Sequence, residues 1–446
     1  MEKRLYIETW GCQMNRHQSE GMAGVLRRAG YRLTERIGDA DVVIFNGCMV
    51  RQKAEDKVYG RIGAVVEEKR RREVLLGVGG CLGEIRAQRL LERFPAVDFV
   101  FGVSGHAGLP ELIDRAFDRA RPVSTGDRRR SDEVPSVRFD PVTAMVTITE
   151  GCSNACSYCI VPRARGPMRS RAPERILSEV TEAVSSGYRE VLLLGQNVNS
   201  YGQDREGCDS FVGLLRRVAA VGVDRIRFAS SHPADLSPEL LDLMAAEEAI
   251  CPHLHVACQS GSDRVLEAMN RGYTKSDFLT MVERARSTVE GMNVTTDLIV
   301  GFPGESRADF QESMDLMERG RFGSIFVAKY SPRPGTPSAR RVDDVPAEEK
   351  QRRLQVVLAR QREIALEENE RIIGKEVEVL IGGQTASGGN YGRAADHRTV
   401  VIDDGLSGER RAGDLVRVRI EAASSSSLSG VALESALAGA AVRGRS

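Results

Sequence analysis

Residues 144–160 read Ala144-Met-Val-Thr-Ile-Thr-Glu-Gly-Cys-Ser-Asn-Ala-Cys-Ser-Tyr-Cys-Ile160. The first six are apolar and β-branched, as in a buried strand. Just past them come Cys152, Cys156 and Cys159, a C-x3-C-x2-C pattern on one short loop with no fourth cysteine nearby. Three soft thiolates suit an iron–sulfur cluster, which normally wants four ligands. Such a loop leaves one iron without a protein ligand, and that iron can hold a small molecule. A zinc knuckle is the rival reading. Structural zinc prefers four protein ligands, typically from paired C-x2-C elements, and no second pair or His follows. Tyr158, before the last cysteine, would shield a cluster on one side.

Working outward, this strand opens a βα series. Further strands are expected at Glu190–Leu194, Arg225–Ala229, His253–Val256, Val294–Val300 and Ser324–Lys329, with helices between them such as Pro173–Ser186 and Ser306–Arg319. Six βα units predict a partial (β/α)6, TIM-like barrel over residues 138–370, closed by a long helix that starts near Pro346 and ends near Arg371. Upstream, residues 1–120 alternate strands (Leu5–Thr9, Asp41–Asn46, Val74–Val78, Val97–Phe101) with helices (Asn15–Ala29, Gln52–Arg71, Glu84–Arg93). That is a parallel α/β sheet. Residues 121–137 are charged and aperiodic and read as a linker. Downstream, Glu376–Ile381, Thr399–Ile402, Leu415–Ile420 and Leu428–Leu433 are short β runs between Gly-rich turns. They predict a small five-stranded β-barrel over 371–435, followed by a tail at 436–446.

Composition sets bounds. The 446 residues suggest two to four domains, and 41% hydrophobic content suffices for ordinary cores. A formal net charge of zero means that any nucleic-acid partner is held by a local patch. No signal peptide and no membrane-spanning run is read, so a cytoplasmic protein is expected. In a reducing compartment, clustered members of the nine cysteines point to metal or catalysis rather than disulfides.

Cys12, Cys48 and Cys81 form a second set. Each sits just past the carboxyl end of a predicted parallel strand, the edge where α/β sheets bind ligands. Gly11, Gly47 and Gly80 each precede one of them, letting backbone pass close to something bulky. The plainer reading is three buried cysteines acting as small hydrophobes. Cys208, Cys251 and Cys258 lack this placement and read as structural.

The cluster loop, with its aromatic before the last cysteine at the end of a first barrel strand, resembles that of the radical S-adenosylmethionine enzymes. The resemblance extends over nearly the whole chain. Gly11-Cys-Gln-Met-Asn15, Leu194-Gly-Gln-Asn-Val-Asn-Ser-Tyr-Gly202, Ser230-Ser-His-Pro233, Gln259-Ser-Gly-Ser262, Asp297-Leu-Ile-Val-Gly-Phe-Pro-Gly-Glu305 and Ser331-Pro-Arg-Pro-Gly-Thr-Pro337 are similar to motifs of the methylthiotransferases. Asn46-Gly-Cys-Met-Val50, His255-Val-Ala-Cys-Gln259 and Pro162-Arg-Ala-Arg-Gly166 depart from the family's usual wording without removing a ligand. The Gly-Cys-Gln-Met-Asn form is most similar to the tRNA branch, which adds a methylthio group to isopentenyladenosine beside the anticodon. The resemblance implies two 4Fe-4S clusters, S-adenosylmethionine, a tRNA partner, a TRAM domain as the final β module, and a reductant such as flavodoxin or ferredoxin. A monomer is expected. Sister branches act on threonylcarbamoyl-adenosine in tRNA or on a ribosomal-protein aspartate. A non-catalytic iron–sulfur RNA-binding protein is the reading from a different class.

The resemblance also implies roles. Cys152, Cys156 and Cys159 would hold the cluster that cleaves S-adenosylmethionine, and Cys12, Cys48 and Cys81 the one that carries sulfur. Gln196, Asn197, Ser231, Gln259 and Asp297 lie near barrel strand ends, where barrel active sites sit, and are candidates for holding S-adenosylmethionine or adenine. Loop structure is the alternative role for Asn197, and packing for Asp297. Arg163, Arg165, Arg169 and Arg171 follow the cluster loop. With Arg393, His397 and Arg398 of the β module they are candidates for tRNA phosphates, or else a solvated charged stretch. The run Lys69-Arg-Arg-Arg72 ends a helix and reads as structural.

Overall fold

A computed structural model describes residues 2–50, 52–126, 137–386, 388–403 and 410–433. The first unit is a parallel sheet of β1 (Arg4–Trp10), β2 (Arg32–Leu33), β3 (Val42–Gly47), β4 (Leu75–Gly79), β5 (Phe99–Phe101) and β6 (Val123–Ser124), in the order β2-β1-β3-β4-β5-β6. β3 and β4 are buried throughout because helices cover both faces. Trp10 pairs with Gly47 and Asn46 with Gly79, so the loops after β1, β3 and β4 leave the sheet at one edge. β2 and β6, of two residues each, and the helix Leu109–Phe117 were not expected from the sequence. β6 falls inside the stretch read as linker and pairs with β5. The rest of that stretch at 127–136, and the tail, lie outside the described residues.

The second unit is the open barrel. β7 (Thr143–Thr147), β10 (Glu190–Leu194) and β11 (Arg225–Phe228) form one parallel sheet, and β12 (His253–His255), β13 (Asn293–Val300) and β14 (Ser324–Lys329) another. Bridges Ile226–Ile250 and Ser231–Val256 join β11 to β12. Among the described residues no pairing joins β14 to β7, so the arc has a gap between its edge strands. β8 (Thr149–Glu150) and β9 (Arg169–Ser170) form a small ribbon that brackets the first cysteine loop. Val146, Val191, Ile226, Leu254, Val294 and Leu298 face outward and pack on the helices, where each fully buried side chain contributes about 1.5–3 kcal/mol. Alternation therefore turns Met145, Thr147, Arg227, His255, Thr295 and Asp297 inward.

The helix Ala347–Glu370 leads to β15 (Glu376–Gln384), β16 (Asn390–Ala394), β17 (Thr399–Ile402), β18 (Leu415–Ala423) and β19 (Leu428–Ala432), a closed five-stranded barrel around Val379, Ile381, Val400, Val416 and Val418. β16 was not read from the sequence.

The other two units seal the open barrel. Met14, on the helix after β1, packs with Met145 and Leu194 inside it, and His17 bonds Thr147 at 2.8 Å. On the far side of the gap Arg333 donates to Gln52 at 3.2 Å and pairs with Glu55 at 3.6 Å. Below, the β16–β17 hairpin plugs the amino ends of the strands. Arg225 donates to the Arg393 carbonyl at 2.7 Å, Arg227 to the Ala394 and Ala395 carbonyls, and Asn293 to the Asp396 carbonyl at 2.8 Å.

Candidate active site between two cysteine triads

The loop after β7 and β8 is held by backbone rather than by its thiols. Cys152 N donates to Gly166 O, Ser157 N to Met269 O, and Cys159 N to Cys156 O, all at 2.9–3.1 Å. Asn270 and Ser157 side chains close it further through Ala155 O and Ala268 O. Arg271 is the charged anchor. Its Nη1 donates to Cys156 Sγ at 3.2 Å, its Nη2 to Ala257 O at 2.5 Å, and its Nε to the Tyr273 hydroxyl at 2.9 Å. Burial pushes the Cys159 thiol up to about 12, and the neighbouring Cys156 and Cys152 add to the shift. Ligation by metal removes those protons, so loading the site releases them. Tyr158 packs against the cluster of Val265, Met269, Phe302 and Tyr330, over the ends of β13 and β14, as does Ile299.

The second triad assembles as the strand order dictates. Cys12, Cys48 and Cys81 leave adjacent strands β1, β3 and β4, and Cys48 N donates to Trp10 O at 2.8 Å. A Cβ on Gly11 would stand 2.7 Å from Cys48 Cβ, and Gly80 adopts φ +76°, so both glycines are needed for the approach. Asn15 and Asn46 lock the loops together, with Asn15 Nδ2 donating to Asn46 Oδ1 at 3.1 Å and Asn46 Nδ2 to Asn15 O at 2.8 Å. Burial pushes the Cys48 thiol up to about 11, and the nearby Cys81 and Cys12 add to it. Among the described residues no group of three His, Cys, Asp or Glu closes on a single metal ion. A cubane cluster spreads its ligands over separate corners, so converging loops, not a one-point shell, are the fitting geometry.

Arg165 joins the two triads. It ends the short helix Val161–Arg165 that follows Cys159, is 4% exposed, and donates to Gln18 Oε1 at 3.1 Å, and its charge acts on Cys81 and Cys12 of the other triad. Burial works against its charge, but Cys81, Cys12 and Glu150 together outweigh it. A buried guanidinium without a paired carboxylate is costly; an anionic cluster on these cysteines would supply the missing counter-charge. This corrects the expectation that Arg165 meets tRNA, because a residue so buried has no surface to offer a phosphate.

The remaining candidates separate by geometry. Gln196 Oε1 and Ser231 Oγ are buried polar atoms with no hydrogen-bond partner, near the ends of β10 and β11; Thr149 Oγ1 and Asn199 Oδ1 are likewise unpartnered. Orphan polar atoms at a barrel mouth fit a polar ligand such as S-adenosylmethionine. Asn197 is engaged in the loop. Its Nδ2 donates to Ser200 and Asp235, each at 2.5 Å, and its Oδ1 accepts from His232 N, which is the alternative, structural role. Gln259 adopts φ +77° and donates its N–H to Asp297 O at 2.8 Å. Asp297 Oδ2 accepts from His255 Nε2 at 3.0 Å; His255 Nδ1 meets Thr295, which meets His253, whose ring stacks on His397 at 4.5 Å.

Of the other arginines, Arg163 is exposed and donates to Gly335 O at 3.3 Å, while Arg171 is tied to Thr147 O and Glu179. Arg393 donates to the His397 carbonyl. Arg398 donates from Nε to Asn369 of the long helix at 2.8 Å and pairs through Nη1 with Asp396 of its own module. Lys69 pairs with Asp98 and Arg72 with Ile37 O, as structural residues. Cys251 and Cys258 are buried, and Cys208 lies against Tyr201. Arg271 and His255 were not singled out beforehand. A lone Arg after Met269-Asn270 has no spacing signal; only the fold brings it to Cys156.

The fold and the site define a radical S-adenosylmethionine enzyme that carries a TRAM domain: the Radical SAM superfamily profile matches residues 146–317 and the TRAM profile 370–433, while the profile described as uncharacterized protein family UPF0004 matches 4–102. Within that class the chain belongs to the tRNA-2-methylthio-N(6)-dimethylallyladenosine synthase family. It is 42% identical to the protein of that name from Carboxydothermus hydrogenoformans, covering 94% of this chain and 97% of the relative. It is 43% identical to that of Geotalea uraniireducens, covering 96% and 98%. In fold it resembles the radical S-adenosylmethionine methyltransferase TsrM from Kitasatospora setae, with TM-score 0.57, 16% identity and coverage of 76% of this chain and 75% of that one. Among the described residues no helix is long and apolar enough to cross a membrane.

Proposed function

We propose that this enzyme adds a methylthio group to C2 of N6-isopentenyladenosine beside the anticodon of tRNA, using two 4Fe-4S clusters in one cavity. The observation that carries the reading is Arg165, buried between the loop of Cys152, Cys156 and Cys159 and the thiols of Cys81 and Cys12. When bound, the clusters and S-adenosylmethionine supply a carbon-centred radical, the sulfur and the methyl group. The chain's own residues do the rest. Arg271 and Arg165 hold the thiolate loops and balance their charge. Gln196 and Ser231 offer their unpartnered oxygens to S-adenosylmethionine, with Gln259 and Asp297 lining the same mouth. The helix after β1 and the β16–β17 hairpin exclude water from the side and from below. Arg163, on the exposed rim, meets RNA phosphate.

A flavodoxin or ferredoxin delivers electrons, and the enzyme works in the cytoplasm as a monomer. The test is anaerobic reconstitution with iron, sulfide, reductant, S-adenosylmethionine and isopentenyladenosine-containing tRNA, followed by nucleoside mass spectrometry. The 2-methylthio derivative is expected, with about eight irons per chain. Product only on threonylcarbamoyl-adenosine or on a ribosomal protein would overturn the substrate; about four irons would remove the second cluster.

A further inference from the structure

We propose that Phe326 is the platform on which the substrate purine stacks inside the barrel; this rests on the reading of the chain as an enzyme that acts on a tRNA adenosine. Phe326 lies on β14 in register with Asp297 of β13. Its neighbour Ile325 packs in the outer, helix-covered core with Val294 and Leu298. Alternation therefore turns Phe326 inward beside Asp297. Its ring meets His255 edge-on, with centroids 5.6 Å apart at 75°.

Its exposure is 49%, whereas Phe278, Phe302 and Phe322 in the same unit are 0–1% exposed. A phenyl ring left half open inside a fold forfeits burial that its neighbours obtain. The space beside it has boundaries. Above, Tyr158 of the first cysteine loop packs against the same cluster of Phe302 and Tyr330 as Ile299, which lies two residues farther along β13 and so one inward-facing layer, about 6–7 Å, higher. Below, His253 stacks on His397 of the plugging hairpin. β14 is an edge strand of the arc, so the ring flanks the gap.

A base that reacts at a ring carbon must leave the helical stack. Proteins commonly hold an unstacked base against an aromatic ring, because every base has a π-face. Phe326 offers such a face one layer under the loop of Cys152, Cys156 and Cys159, next to the polar pair His255 and Asp297.

The test measures the base-dependent part of binding. Reconstituted full-length enzyme is titrated with an anticodon stem-loop carrying isopentenyladenosine at the target position, and with the same stem-loop abasic there. The wild type is expected to prefer the intact RNA about tenfold or more, the range of one aromatic stacking contact. Phe326→Ala is expected to lose that preference, with unchanged abasic binding and iron content; Phe326→Tyr is expected to keep it. An unchanged preference in Phe326→Ala would overturn the platform, and so would a loss that Phe326→Tyr fails to restore. The ratio is read without turnover. A wild type that binds with this preference but forms no methylthio nucleoside would sink the proposed reaction and leave the platform standing.

Discussion

At the scale of single residues, two arginines do work that composition does not announce. The chain has equal numbers of basic and acidic residues, so nothing in its total charge marks Arg165 or Arg271. Both are placed by turns next to cysteines: Arg165 ends the helix after Cys159, and Arg271 follows the helix Asp263–Ala268 that backs the loop. Arg165 is the more informative, because its charge acts on Cys81 and Cys12 of the other triad. Arg165→Gln keeps a donor and removes the charge. Iron per chain after reconstitution is expected to fall from about eight towards about four, since the proposed second cluster would lose its buried counter-charge while Cys152, Cys156 and Cys159 keep Arg271. Iron and sulfide analysis with electron paramagnetic resonance checks this; full retention of both clusters would refute it. The cysteines themselves were legible in the sequence, one set from local spacing and the other from strand ends. The roles of Arg165 and Arg271 were not, because their partners are set by tertiary contacts across 84 and 115 positions.

At the scale of elements, the helix Arg307–Gly320 shows how capping reaches the site. Ser306 and Asp309 form a reciprocal capping box. Asp309 also accepts from Ser262 Oγ at 2.6 Å and pairs with Arg264, fixing the turn after Gln259. Burial would raise the Asp309 carboxyl, yet hydrogen bonds from Arg264, Ser262 and Ser306 hold it below the usual carboxylate range. Ser306→Ala is expected to cost about 1 kcal/mol, the usual worth of a cap. Asp309→Ala is expected to cost more, about 2–3 kcal/mol, because it also strands the buried Ser262 hydroxyl. Denaturant unfolding ranks the two, and equal costs would mean that the tie to Ser262 carries no weight. Elements of this kind were readable where length or pattern was sufficient, as at Glu190–Leu194 and Ser324–Lys329, which match residue for residue. β2 and β6 are too short to show a period. β16, Asn390-Tyr-Gly-Arg-Ala394, lacks apolar alternation because Gly392 must lie against the Leu380 backbone, where a Cβ would overlap.

At the scale of the whole molecule, the TRAM barrel is a floor for the catalytic barrel as well as a candidate RNA-binding module. Its hairpin gives up the carbonyls of Arg393, Ala394, Ala395 and Asp396 to Arg225, Arg227 and Asn293, and buries His397 against His253. Burial first, then Arg227 and Arg393, lower the His397 pKa to about 3; burial and His397 hold His253 well below its ordinary value. Both imidazoles are therefore neutral in the docked state, while an unfolded or undocked His titrates near 6.5. Because the folded values are depressed, docking is at full strength above about pH 6.5. It weakens as pH falls, since the undocked state takes up protons that the docked state refuses, by at most about 1.4 kcal/mol per pH unit for each His. Between pH 7.5 and 5.5 the carboxylates of ordinary pKa near 4 stay charged, but burial raises Glu20 to about 7 and it titrates there, so the difference between wild type and His397→Gln isolates the histidine. Thermal unfolding over that window is expected to show the wild type losing stability towards pH 5.5, and His397→Gln losing distinctly less. A pH dependence that is the same in both proteins would show that the stacked pair does not link protonation to docking.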